Sequence, residues 1–161
     1  MEPQRFTAMT EDGGRGRVAI PVPFDPDEVW GAKSAHHVTG TVDGCGLRAV
    51  VEPHDAGRRI VMGPTWGRDR GIGPGRAVEV ELAPEGPQRS DLAPDLAAAL
   101  AAEPAAGAFF DSLAQFYRRG YLRWIDATTR RPDERMRRIA HVVELLERGI
   151  KERPGPAAST E

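Results

Sequence analysis

Apolar and polar positions follow two different periods along this chain, with the change near residue 85. Up to about Leu82 the apolar residues come in short β-rich runs broken by Gly and Pro, at residues 17–20, 36–42, 47–51, 59–62 and 77–82. Runs of that length and composition predict strands. Their spacing predicts a small barrel. Asp43-Gly44 lies between two of the runs, and both central positions of a two-residue hairpin turn favour positive φ, so residues 38–51 are expected to form a β-hairpin.

Residues 18–31 and 60–73 share an order: strand, proline, helical turn, glycine, then another β run. Two such copies predict a pseudo-twofold barrel with a short helical turn after the first strand of each half. Trp30 and Trp66, each followed by glycine, are expected to cap the barrel ends.

Residues 83–89 (APEGPQR) read as a linker, after which the apolar period becomes helical. Ser90 or Asp91 is a candidate cap for a helix to Ala102, and Pro104 marks the next start. Leu113, Phe116, Tyr117, Gly120, Tyr121 and Trp124 fall on one arc of a helical wheel, which predicts a core-facing aromatic helix with Arg118, Arg119 and Asp126 outside it. A last helix from Pro132 carries the stripe Met136, Ile139, Ala140, Val143 and Leu146, and Gly149 ends it. The organisation expected is α+β: a small double-split β-barrel over residues 5–88, a C-terminal helical module over 89–153, and a disordered tail over 154–161.

The wheel also places Arg135 at the edge of the last helix's apolar face, with Arg131 and Arg138 beside it. A partly buried guanidinium needs acceptors. Asp111, Asp126 or the ring of Tyr121 or Trp124 can supply them internally; a bound phosphate, nucleic acid or acidic peptide can supply them from outside.

Overall charge adds little, since a net charge of −2 gives no drive toward a polyanion. Charge is local instead. Residues 118–138 hold eight arginines against Asp126, Asp133 and Glu134, and a second basic stretch contains Arg58, Arg59, Arg68, Arg70 and Arg76. Arginine is the preferred cation throughout, with only Lys33 and Lys151 as lysines, so arginine content alone is weak evidence for a site. A lone Cys45 excludes an internal disulfide and suits a reducing compartment. No apolar run is long enough for a signal or membrane segment, and a cytoplasmic protein is expected.

Three segments together, Phe109-Phe110-Asp111-Ser112-Leu113, Tyr121-Leu122-Arg123-Trp124-Ile125-Asp126-Ala127 and Arg135-Met136-Arg137-Arg138-Ile139, resemble the bacterial YdeI/OmpD-associated helical domain. The preceding half, with Phe6, Pro21, Trp30-Gly31, Val38, Gly40-Thr41 and Asp43-Gly44, is similar to the barrel domain of unknown function that precedes it in such proteins. The resemblance implies a barrel distantly like the AbrB- and MazE-type ones, and a role in bacteriocin protection or envelope stress. It implies no catalytic residues. Thr129 stands where relatives usually carry lysine, and Arg76 where they carry aspartate after the barrel glycine.

Candidate chemistry is thin. His36 and His37 are adjacent and point to opposite faces of a strand, so they do not make a metal site with Cys45. His141 and Glu144 read as a surface pair. Gly71-Ile72-Gly73-Pro74-Gly75 leads into a strand and lacks the ending of a phosphate loop. No serine has a recognisable base. No catalytic set, metal or cofactor is expected, and no membrane contact.

Three functional expectations follow. The first is a non-enzymatic cytoplasmic binding or regulatory protein of the stress or bacteriocin-protection type, meeting an unknown protein partner through Arg131, Arg135, Arg138, Tyr121 and Trp124. The second is nucleic-acid binding through Arg118, Arg130, Arg137, Arg58 and Arg59. The third is an enzyme with a pocket between barrel and helices, around Tyr121, Trp124 and Arg135. A monomer is expected, because a duplicated barrel supplies its own second half.

Overall fold

The computed structural model describes residues 2–155, and the chain divides between Glu85 and Gly86 into two compact units. The first contains strands β1 (Gln4–Met9), β2 (Glu11–Gly14), β3 (Arg17–Val22), β4 (His36–Val42), β5 (Cys45–His54), β6 (Gly57–Met62) and β7 (Ala77–Pro84), with helices α1 (Pro26–Trp30) and α2 (Pro64–Arg70). All pairings are antiparallel, in the order β1-β7-β4-β5-β6-β3-β2. The result is a curled half-barrel.

Alternation decides which side chains enter it. Val18, Ile20, Val38, Val42, Leu47, Ile60, Met62, Val78, Val80 and Leu82 are buried in one cluster with Trp30 and Ile72. The two copies of the duplicated segment pair with each other: β3 with β6, placing Ile20 opposite Ile60, and β4 with β7, placing Val42 opposite Val80. Asp43 and Gly44 take positive φ at the β4–β5 turn, as the hairpin required. Gly40 lies between Leu47 and Leu82 in the ladder, so close to β7 that a Cβ there would come within 1.8 Å of the Glu81 carbonyl oxygen.

β1 and β2 were not expected as strands. They form the two edges of the sheet, yet only Thr10 separates them along the chain. Thr10 is buried, and all its polar groups are used: its amide donates to the Arg76 carbonyl, its carbonyl accepts from Gly75, and its hydroxyl donates to Gly73 and accepts from the Arg76 amide. The bend is therefore pinned to the loop before β7.

The tryptophans are not equivalent. Trp30 is a buried core residue whose ring meets Phe24 edge-on, whereas Trp66 is only partly buried, donates to the Gly46 carbonyl and lies under Arg70. Ile72, twelve residues into its copy as Trp30 is into the other, fills the corresponding buried place.

The second unit has a 3-10 turn (Arg89–Asp91) and helices α3 (Pro94–Ala102), α4 (Pro104–Ser112), α5 (Gln115–Asp126) and α6 (Pro132–Glu147). Three of the four begin with proline in the first turn, where the missing N–H costs nothing. α3 thus starts later than the Ser90 or Asp91 cap predicted. The core joins Leu96, Leu100, Phe110, Leu113, Tyr121, Ile125, Ile139, Val142, Val143, Leu145 and Leu146. Of the expected tail, residues 156–161 lie outside the described residues.

Candidate functional site

The aromatic wheel of α5 is turned from its expected setting. Arg118, Tyr121 and Ile125 form its buried side, while Phe116, expected in the core, is 62% exposed. Arg118 is 2% exposed and donates from Nε to Leu113, from Nη1 to Pro87 and from Nη2 to Asp111, each time to a backbone carbonyl. Its plane also lies over the Phe110 ring. The expectation that Arg118 serves nucleic acid is corrected here: its donors are used within the fold, where they satisfy carbonyls at the end of α4 and in the segment before α3.

Arg135 has internal partners. Its Nε and Nη2 hold both oxygens of Asp95 at 2.6 and 3.0 Å, and Nη1 holds Asp126 at 3.0 Å. Asp126 was among the partners weighed from sequence; Asp95 was not. Asp111, the other candidate, is taken by Arg89, whose Nε and Nη2 reach it at 2.9 and 3.2 Å. Gly107 makes that approach possible, since a Cβ there would lie 2.1 Å from Arg89 Nη2.

Arg135 holds the Asp95 carboxyl below the ordinary carboxylate range, chiefly through the direct hydrogen bond. A depressed native pKa adds stability above the unfolded value and loses it as pH falls through the native one. The contribution is therefore full at neutral pH and declines in acid from about pH 4 downward, as pH falls through the lowered native value. We expect Arg135→Met to lower stability by about 1 kcal/mol at pH 7, the carboxylates being half exposed, and by less at pH 3. Urea unfolding at both pH values checks this; an equal loss at both contradicts it.

Trp124 is half-buried and collects cations. The guanidinium of Arg138 lies 4.7 Å from its ring centroid and that of Arg153 4.1 Å, with His141 edge-on. Arg138 also donates to the Trp124 carbonyl and to Glu134. Tyr121 donates its hydroxyl to the Ile150 carbonyl, and burial pushes its pKa up to about 12, so it keeps its proton near neutral pH. Phe116, Tyr117, Gly120, Tyr121, Arg123, Glu152 and Arg153 line a cleft of about 210 Å³ beside it. Gly120 has open space next to it.

The remaining arginines divide by partner. Arg137 pairs with Glu134, Arg59 with Glu52, and Arg58 stands 3.7 Å from Asp25 on the wall of a cavity of about 590 Å³ in the sheet unit. Arg119, Arg123, Arg130 and Arg131 are exposed and make no side-chain hydrogen bond or ion pair among the described residues. Phe116, Arg119, Gly120 and Arg123 share one face of α5. The chemistry of that face is an apolar anchor with cations around it.

His36 is turned to Asp27, and among the described residues no group of three His, Cys, Asp or Glu side chains is placed to hold a metal. Among those residues no helix is long and apolar enough to cross a membrane.

Fold and surface together define a two-unit α+β protein whose helical unit displays an aromatic face set with arginines. Residues 90–149 match the family described as bacteriocin-protection, YdeI or OmpD-associated, and the chain carries a domain of that family. The match covers the helical unit and leaves the half-barrel outside it. No curated protein matches the chain.

Proposed function

We propose that this is a non-enzymatic, cytoplasmic binding protein of the stress or bacteriocin-protection type, and that its helical unit recognises an acidic protein segment. The observation that carries the reading is the exposed Phe116 on a face shared with Arg119 and Arg123, beside a cleft to which Arg153 contributes. An exposed aromatic flanked by two unpaired cations, Arg119 and Arg123, is suited to an apolar side chain flanked by carboxylates. The original contact set is narrowed by the same geometry. Arg135 and Arg138 are engaged internally, Tyr121 contributes to the cleft wall, and Arg131 remains available.

Arg119, Arg123, Arg130 and Arg131 favour a second reading, nucleic-acid binding, because four exposed unpaired arginines suit phosphates. Fluorescence anisotropy separates the two with a labelled peptide of Glu, Leu and Phe and with labelled single- and double-stranded DNA. The protein-partner reading expects peptide binding that weakens at least about tenfold in Phe116→Ser, since an aromatic anchor is worth over about 1.4 kcal/mol. DNA binding with a steep salt dependence, and no peptide binding, would replace it with the second reading.

A further inference from the structure

Phe116 and Met136 are the exposed large apolar side chains of the helical unit, at 62% and 71% exposure, and their surroundings carry opposite charge. Met136 stands at a groove of about 550 Å³ between α3 and α6, floored by Ala99, Ile139, Ala140 and Val143 and edged by Glu103, Glu144 and Glu147. Small residues on both walls let another backbone come close. The carboxyl of Glu147 is pushed up, first by its hydrogen bond with Glu103, then by desolvation, and then by repulsion from Glu103 and Glu144, so an arriving cation relieves a repulsion already present.

We propose that the helical unit is complementary to itself: the Phe116 face of one copy seats in the α3–α6 groove of a second, with Arg119 and Arg123 meeting Glu103, Glu144 and Glu147. This rests on reading the α5 face as a partner surface and names the acidic partner as a second copy of this chain. The basic face matches the acidic rim in sign, and the exposed ring matches the apolar floor. The two surfaces share no residue. One copy can therefore give and receive at once, either in a head-to-tail array or in a two-fold dimer with two reciprocal contacts. The monomer expected from the duplicated barrel gives way, in this proposal, to a concentration-dependent assembly.

The test uses the full chain in sedimentation velocity from about 10 µM to about 1 mM, a range that reports weak association. The weight-average mass is expected to rise with concentration and to fall back as salt goes from about 0.05 to about 0.5 M. Two variants then separate the surfaces: Glu103→Lys with Glu147→Lys blocks the groove, and Phe116→Ser with Arg123→Glu blocks the face. All four side chains are on the surface, and circular dichroism confirms that each variant keeps its helices.

Each variant alone is expected to weaken self-association at least about tenfold. An equimolar mixture is expected to form one-to-one dimers and nothing larger, because it contains one intact face and one intact groove. A wild-type protein that stays monomeric throughout, a variant that associates like wild type, or a mixture that stays monomeric overturns the proposal. The groove-blocked variant also receives the Glu/Leu/Phe peptide. Peptide binding there while the wild-type protein stays monomeric removes only the second-copy partner; absence of both peptide binding and wild-type association removes the partner-surface reading itself.

Discussion

Gly40→Ala is expected to be the most damaging single-methyl change in the sheet unit, lowering its stability by at least about 3 kcal/mol. The added Cβ would sit 1.8 Å from the Glu81 carbonyl oxygen, 2.8 Å from its carbon and 3.1 Å from Leu82 Cα. These are backbone atoms of β7 and cannot swing aside as a side-chain end can. Relief requires β4 and β7 to separate where Gly40 faces Leu82, between the buried Val38, Val42 and Val80. Gly46→Ala is the control, since nothing lies within 4 Å of its added atom. Amide exchange should speed up along β4 and β7 in Gly40→Ala and stay unchanged in Gly46→Ala. Equal melting temperatures for both variants would show that the close approach carries no energetic weight.

Arg118→Met should cost the helical unit about 3–5 kcal/mol, more than any other charge removal there. Methionine replaces the volume but leaves the carbonyls of Leu113, Pro87 and Asp111 without the donors that now reach them at 2.9, 2.8 and 2.6 Å. Replacing a buried charge by an apolar residue is harmless only when its partners are replaced as well, and backbone carbonyls cannot be. Arg118→Lys should recover part of the loss, because one ammonium cannot span three acceptors set by a planar fork. Arg119→Met, one position along and exposed, should be nearly neutral. Urea midpoints for the three variants give the comparison. A neutral Arg118→Met would mean that water reaches these carbonyls and that the guanidinium is dispensable.

The same residue marks where reading the sequence fails. A hydrophobic period weights Phe116 above Arg118, so the wheel turned α5 until the phenylalanine faced inward and the arginine outward. The fold reverses them because the end of α4 offers carbonyls that need donors, a demand that hydrophobicity does not register. In α6, Ile139, Val143 and Leu146 are buried as assigned, but Met136 and Ala140 were assigned inward and are exposed while Val142 and Leu145 are buried as well, a smaller rotation of the same kind. Asp126 was within reach of reasoning about Arg135 because the two lie near a single turn, whereas Asp95 is 40 residues away.

The strands were more legible, because alternation and the Asp43-Gly44 turn act locally. β1 and β2 were the exceptions, and β1 shows why. Only Phe6 and Ala8 mark its inward side, both half-buried, and its place is fixed by β7. The family domain could be recognised in the helical half because aromatic and arginine positions recur there in order, and the matched segment is that half.

The pinned bend at Thr10 has a consequence for the order in which the chain can fold. As β1 is synthesised it has no neighbour, for Thr7 meets Glu79 across the ladder 72 residues later. Such a long-range closure is slow, and a waiting strand can pair with the wrong chain. The loop that receives Thr10, residues 73–76, is made only just before β7. Latching the bend and seating the edge strand thus become a single late event, and the nascent sheet has little time in which one edge is closed and the other open.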